Sequence, residues 1–243
     1  MAARDATSPL RRAARAEWGP LWTALRDGLR GRGPRAIPLT LTAVALTALC
    51  WYVQQRSWGG GLVHDLGVVR AADPWWLSLL RTPPSLFVPA PELPVWGALT
   101  QLLLVGGISE VCVGRTATVL VGCLATLAGT LYARIGIAVG PGGAFGLPAS
   151  DAWITDTGPS AAVVGLAVFV ACRYRAYVTA AVVAAAMAGE MIALPNLAGK
   201  EHLVAVAVGF LAAAPAALRE RAVRRTPTEG PEPRGRPART EWR

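Results

Sequence analysis

Residues 156–165 read DTGPSAAVVG, in which a Gly-Pro pair precedes an apolar run that stops before Arg173. Gly158 suits an N-cap and Pro159 the first helical position, so the stretch predicts a helix with Ser160 in its first turn. The run holds 14 residues. At 1.5 Å per residue it covers about 20 Å, which is less than the roughly 30 Å of hydrocarbon in a bilayer. In a membrane protein this serine would therefore lie below the surface, next to a cavity.

The composition indicates a membrane protein. The chain has 243 residues, of which 53% are hydrophobic and 16% charged, and its mean hydropathy is positive. Apolar runs without period-2 alternation exclude a β-barrel and predict a bundle of six transmembrane helices. The predicted spans cover residues 37–53, 93–113, 116–133, 159–172, 177–194 and 202–218.

The charges predict the orientation and the domains. Eight of the 24 Lys and Arg residues precede residue 37, and eight more follow residue 218. Six spans place both ends on one side, which the positive-inside rule makes cytoplasmic in a multi-pass protein of the cell membrane. We therefore expect a basic leader over 1–36, a membrane domain over 37–218 and a disordered basic tail over 219–243.

The basic balance, with a sequence pI near 10.4, favours a lipid partner. No aromatic residues alternate with the basic ones as in a nucleic-acid platform, so we expect anionic headgroups to bind the tails, and no nucleic acid. One face of the leader is apolar and predicts an interfacial helix, although a disordered leader is the alternative. Its apolar residues are Trp18, Leu21, Trp22, Leu25 and Leu29.

No cofactor or metal site is indicated. The four cysteines lie singly in or at the ends of spans without CxxC spacing, so neither zinc nor a disulfide framework is expected. The first span follows 36 residues and has no small-residue cleavage site, which argues against a removed signal peptide.

A second polar residue is expected at the same depth as the serine in this topology. His202 begins the sixth run, 42 residues after Ser160, and both runs enter from the same face, so the two lie at similar depth. Small residues on both runs would let the helices approach closely. They are Ala161 and Gly165 on one run, and Ala205 and Gly209 on the other. A serine beside a base can act as a nucleophile. The alternatives are a serine that only satisfies helix N–H groups and a histidine that faces headgroups.

Three acidic residues accompany this pair. Asp156 would polarise His202 or line a polar pocket, or would only favour the positive end of the helix that follows. Glu190, inside a span, should face the bundle. Glu201 is expected at the membrane interface.

Three motifs resemble those of rhomboid intramembrane serine proteases. GPSA at 158–161 matches the GxSx that begins their fourth helix, and HLVAVAVGFL at 202–211 is similar to their sixth-helix histidine motif. GGISEVCVG at 106–114 is similar to their GxxxExxxG. The resemblance covers roughly residues 81–213.

The resemblance implies an all-α, rhomboid-like fold and an activity. Ser160 would be the nucleophile and His202 the general base, cleaving transmembrane segments of other membrane proteins that enter from the side. Glu110 would be structural, and Arg81 corresponds to the Arg of a Trp-Arg pair that ends the family's outer loop.

The sequence also departs from the family. The positions of the oxyanion-stabilising His and Asn hold Pro94 and Ala98 here. Each lost donor costs about 10²- to 10³-fold in turnover, unless Gln101, Thr100 or the Ser160 N–H substitutes. The alternative is therefore an inactive rhomboid-like protein that binds client transmembrane helices. A small transporter has little support, since no inverted repeat is evident.

Overall fold

The computed structural model describes residues 8–143 and 145–225, with side chains as far as residue 215. Regular structure within these residues is helical, apart from one isolated antiparallel bridge between Val69 and Asp156. The helices are α1 (Pro9–Arg32), α2 (Pro38–Gln54), α3 (Gly59–Gly67), α4 (Trp75–Ser85), α5 (Val95–Gln101), α6 (Gly107–Val113), α7 (Arg115–Val139), α8 (Ser160–Arg173), α9 (Tyr177–Ala193) and α10 (Leu197–Arg225).

The helix lengths agree with a helical membrane protein. Three stretches among the described residues are long and apolar enough to cross a bilayer: Val95–Val113, Arg115–Val139 and Leu197–Pro215. The number of such stretches rises to four if α1 and α2, which are bent by 51° where they join, form one span. Each of the six predicted runs is helical, but α8 and α9 are shorter, so six crossings and the side of the termini stay predictions.

Helices α7, α8 and α10 form the centre of the bundle. Ala125 of α7 and Ala205 of α10 are both completely buried, and the Cβ of Ala125 lies opposite Gly165 of α8. Gly122 of α7 lies opposite Ala162 in the same way. Small side chains at each contact therefore let three helix backbones lie close together.

Two predicted boundaries of the last helix are wrong. α10 begins at Leu197 rather than at His202, because the Asn196 Oδ1 accepts a hydrogen bond from the Gly199 N–H (2.8 Å) and caps the helix. The helix also continues through residue 219 to Arg225, where we predicted a disordered tail. The rest of that tail, 226–243, lies outside the described residues, as do residues 1–7 of the leader.

The long segment between α2 and α5 forms two short helices, α3 and α4. Trp58, Trp75 and Trp76 in this segment are exposed, as expected for an interfacial loop. The segment is fixed to the chain that precedes α8 by the bridge of Val69 and by the Ala72 N–H, which donates to the Ala152 oxygen (2.9 Å).

The basic leader folds into α1, which packs on the bundle. Glu17 Oε1 accepts hydrogen bonds from the Thr179 N–H (2.7 Å) and hydroxyl (3.0 Å) at the start of α9. The Trp18 indole donates to the same hydroxyl (2.9 Å). Leu21 packs against the apolar core, while Trp22 is 64% exposed.

Glu110 joins three parts of the fold. Its carboxylate, which is almost fully buried, accepts hydrogen bonds from the N–H groups of Leu39 (3.0 Å) and Thr40 (2.8 Å). These are orphan donors in the first turn of α2. The Arg115 Nε, at the start of α7, lies 3.1 Å from the same carboxylate. Glu110 thus acts as a cap for α2 supplied by α6.

Candidate functional site

Ser160 is the first residue of α8, and the backbone before it is held in place. Gly158 adopts φ +102°, a conformation that favours glycine, and its N–H donates to the Ser85 oxygen (3.0 Å). Asp156 exchanges two backbone hydrogen bonds with Val69, at 2.8 and 3.2 Å. The loop from α3 and α4 therefore fixes the position at which α8 begins. Ser160 itself is half-buried, and the expected cavity next to it stays a prediction.

Helices α8 and α10 approach each other closely below Ser160. A Cβ added to Gly209 would lie 2.6 Å from the Gly165 oxygen, and one added to Gly165 would lie 3.2 Å from the Ala205 oxygen. Three of the four predicted packing residues thus form the contact itself. The fourth, Ala161, is half-buried.

This contact sets the relative height of the two candidate catalytic residues. Gly165 lies between Ala205 and Gly209 along α10, so a step of five residues toward the start of α8 brings Ser160 to the level of His202. No hydrogen bond within the described residues joins Ser160 to His202.

His202, in the second turn of α10, has a carboxylate partner on α9. Its Nδ1 lies 3.2 Å from Glu190 Oε2, and its side chain is 13% exposed. A proton on Nδ1 that is donated to this carboxylate leaves Nε2 as the acceptor nitrogen. The contact orients the imidazole as a base requires. The sequence placed Glu190 toward the bundle, but it could not show which residue the carboxylate would meet.

Two further acids are close to His202, Asp156 in space and Glu201 in sequence. Burial raises the pKa of Asp156 to about 6, and a positive charge on His202 acts against this rise. Glu201 is only 5% exposed, which makes the predicted interfacial position wrong. It fits there because Gly129 of α7 leaves room: a Cβ added to that glycine would lie 3.3 Å from the Glu201 Cβ. Among the described residues, nothing donates a hydrogen bond to Glu201 Oε1.

The predicted auxiliary donors are not assembled at Ser160. Gln101 is exposed at the end of α5, and no hydrogen bond within the described residues ties it to Ser160 or His202. Pro94 is the exposed N-cap of α5, and Ala98 is half-buried.

A π-helical turn, Leu102–Gly106, separates α5 from α6. Such a turn takes up about one extra residue, so a register counted back from Glu110 shifts by one. Gly97 and Leu93 then replace Ala98 and Pro94, and they too lack side-chain donors. Backbone N–H groups are the remaining hydrogen-bond donors next to Ser160, because the first N–H groups of α8 have no acceptor within the helix.

Two of the predicted residues serve the surroundings of the site. Arg81 Nη1 donates to the Val68 oxygen (3.4 Å) and lies 3.6 Å from Asp73 Oδ2, so it stabilises the loop that Asp156 pairs with. Glu110 lies at the opposite end of α8, beside Arg115, far from Ser160 along the bundle. No group of three or more His, Cys, Asp or Glu side chains in the described part of the chain is arranged to hold a metal ion.

The architecture is that of an all-helical membrane protein with a polar cluster around His202. Neither known protein families, nor curated proteins, nor solved structures match this chain.

Proposed function

We propose that this protein is a six-span, rhomboid-like intramembrane serine protease of the cell membrane, with both termini cytoplasmic. Ser160 is the nucleophile, His202 is the general base, and the substrates are transmembrane segments of other membrane proteins. The observation that carries the proposal is the approach of α8 to α10 through Gly165 and Gly209, which gives the serine and the histidine the same height in the bundle.

The hydrogen bond between Glu190 and His202 supports the assignment of the base. A carboxylate on Nδ1 fixes the tautomer in which Nε2 accepts the Ser160 proton, and it stabilises the imidazolium that forms. The Ser160 oxygen then attacks the substrate carbonyl, and His202 returns the proton to the leaving amine. Water then attacks the acyl carbon while His202 takes its proton, and the histidine returns that proton to the Ser160 oxygen as the ester bond breaks.

The oxyanion must be stabilised by backbone groups in this chain. The N–H groups of Ser160 and Ala161 have no helical acceptor, and they lie at the positive end of the α8 dipole. Because neither positions 94 and 98 nor the shifted positions 93 and 97 carry a side-chain donor, we expect turnover about 10²- to 10³-fold below that of an enzyme with one.

Labelling with a serine-reactive fluorophosphonate tests the proposal on the purified full-length protein. We expect labelling of the wild type and its loss in Ser160→Ala and His202→Ala. Ser150→Ala and His64→Ala are matched controls, because they remove a serine from the segment before α8 and a histidine from α3. An unlabelled wild type, or label that persists in Ser160→Ala, contradicts the assignment.

The absence of side-chain oxyanion donors favours a second candidate, an inactive relative that binds client transmembrane helices. Its test is a photo-crosslinker in place of Trp96, which is 72% exposed on α5. If the protein only binds clients, it crosslinks to a transmembrane peptide equally well with and without Ser160→Ala, and the fluorophosphonate does not label it. Substitutions at Gly165 or Gly209 would not test client binding, because both glycines lie inside the bundle and not on a client-facing surface.

A further inference from the structure

Helix α1 lies on the outside of the bundle and contacts it along one face. None of its residues is fully buried, and half-buried residues recur at every third or fourth position. They are Ala14, Glu17, Leu21, Ala24 and Gly28. Glu17 binds Thr179, and Leu21 packs against the apolar core. Gly28 lies opposite Val111 of α6. This spacing defines the inner face of α1.

The contacts of the inner face lie at the ends of apolar helices. Val111 is the third-last residue of α6, which ends the stretch Val95–Val113 that is long enough to cross a bilayer. Thr179 is the third residue of α9. The part of α1 from Glu17 to Gly28 therefore lies at the height where these helices end, which in a bilayer is the headgroup region.

A second face of α1 carries arginines and tryptophans together. Its members are exposed and follow each other at intervals of three or four residues. This Arg-Trp stripe consists of Arg11, Arg15, Trp18, Trp22, Arg26 and Arg30. Its tryptophans, Trp18 and Trp22, are 55% and 64% exposed. No ion pair among the described residues involves any of its four arginines. The stripe thus presents positive charge and aromatic surface that the described part of the chain leaves uncovered.

The remaining flank of α1 contains neither arginine nor tryptophan. Its positions hold Ala13, Ala16, Pro20, Thr23 and Asp27. Asp27 is one of two acids in α1, and the other, Glu17, is bound to Thr179 on the inner face. Both acids lie off the stripe, so the positive charge of the helix is concentrated on one side.

This arrangement matches a membrane surface that carries negative charge. Tryptophan is favoured at the boundary between hydrocarbon and headgroups, and arginines at that level attract anionic lipid. We propose that the Arg-Trp stripe binds the anionic phospholipid surface of the membrane, with Trp22 among the headgroups and the arginines on phosphate groups. An acidic partner in solution would not require its binding face to lie where apolar helices end, and this placement favours lipid. The stripe is separate from Ser160 and His202, and its lipid binding does not depend on protease activity.

An exchange of Arg26 and Asp27 tests the stripe at constant net charge. In the double variant Arg26→Asp and Asp27→Arg, the arginine moves to the flank of Ala16 and an acid enters the stripe. Native mass spectrometry of the detergent-purified full-length protein compares the binding of phosphatidylglycerol with that of phosphatidylcholine with the same chains. We expect the wild type to prefer phosphatidylglycerol, and the exchange to lower this preference about fivefold or more, as for the loss of about one surface charge.

Arg56→Gln is the control, because it removes an exposed arginine outside α1 and lowers the net charge. It should leave most of the preference for phosphatidylglycerol in place. A double variant that keeps the wild-type preference, or an Arg56→Gln variant that loses as much as the double variant, overturns the proposal. In either case the lipid would respond to the total charge and not to the stripe.

Photo-crosslinking shows what covers the stripe. Benzoylphenylalanine replaces Trp22 on the stripe or, as a matched control, Ala16 on the flank without arginines, in full-length protein reconstituted into vesicles of phosphatidylcholine and phosphatidylglycerol. We expect position 22 to crosslink to phospholipid, and position 16 to do so several-fold less. Crosslinks from position 22 to a second copy of the chain, or equal lipid crosslinking at the two positions, overturn the proposal. Circular dichroism of each variant checks that its helix content is unchanged.

Discussion

Gly209→Ala tests the closest contact in the bundle. The added Cβ would lie 2.6 Å from the Gly165 oxygen and 2.8 Å from the Val168 Cβ, and ordinary contacts begin near 3.4 Å. The first of these atoms belongs to the backbone and the second is attached to it, so neither can rotate away. Helices α8 and α10 must therefore separate by about 1 Å, or the variant helix must shift along its partner.

The expected change in the free energy of unfolding is the sum of two opposing contributions. Overpacking of a well-packed core costs about 1–3 kcal/mol, while Gly→Ala in a helix contributes about 1 kcal/mol of stability. Gly189→Ala, on α9, carries only the second term, because nothing lies within 4 Å of its Cβ position. The difference between the two variants isolates the steric term, and we expect Gly209→Ala to be about 1–3 kcal/mol less stable than Gly189→Ala.

Unfolding in mixed micelles with increasing SDS, followed by circular dichroism, gives the free energy of unfolding of each variant. Fluorophosphonate labelling on the same samples reports whether the separation of the helices also disturbs Ser160 and His202. If Gly209→Ala and Gly189→Ala unfold with the same free energy, the helices do not approach at Gly165 as described. The argument that brings the serine to the height of the histidine would then fail.

Three further changes address the polar groups. Glu190→Gln keeps a hydrogen-bond acceptor near His202 but removes the charge that stabilises the imidazolium, so fluorophosphonate labelling should slow about tenfold or more. The pKa of Asp156 in the folded protein, about 6, exceeds its ordinary value near 4, so the native state retains a proton that the unfolded state loses. The free energy of unfolding should therefore fall by about 2–3 kcal/mol as the pH rises from 4 to 7, and Asp156→Asn should remove this component. Glu110→Ala leaves two N–H groups of α2 without an acceptor and should cost about 2–4 kcal/mol, with Glu110→Gln losing less.

Each of these has a contrary result. Labelling of Glu190→Gln at the wild-type rate would mean that the carboxylate does not orient the imidazole. If the stability of the wild type and of Asp156→Asn depends on pH in the same way, the Asp156 carboxyl is in contact with water and its pKa is not raised. Glu92→Gln, an exposed acid, is the control for Glu110, and equal stability of Glu92→Gln and Glu110→Ala would argue against the cap.

The positions of most helices could be predicted from the sequence, because apolar runs are bounded by residues with clear local effects. α8 has Pro159 as its N-cap and begins at Ser160, one residue later than predicted, and it ends at Arg173, so its length of 14 residues agrees with the prediction. The small residues Gly165 and Gly209 indicated a close contact between their helices. Local chemistry was sufficient in these cases because helix ends depend on neighbours in sequence.

Other features could not be predicted from the sequence, because they depend on contacts between distant parts of the chain. Asn196 caps α10, but the charged residues Lys200 and Glu201 interrupt the apolar pattern, so the start of the helix was placed too late. The burial of Glu201 depends on a glycine of α7 that is distant in sequence. The π-helical turn at residues 102–106 has no local signal, because LLLVG is equally compatible with an α-helix. Tertiary packing decides such features, and periodicity alone does not.

The contact of α1 with α9 has a consequence for biosynthesis. Glu17 and Trp18 bind Thr179, so more than 160 residues separate the partners in sequence. At about 5–20 residues per second, synthesis of the intervening chain takes on the order of 10–30 seconds. Throughout that interval α1 lacks its contact with α9, although Val111 of α6, which lies opposite Gly28, is made earlier. Its exposed tryptophans and arginines are then free to meet whatever surface lies beside the ribosome, well before the helix reaches its final place.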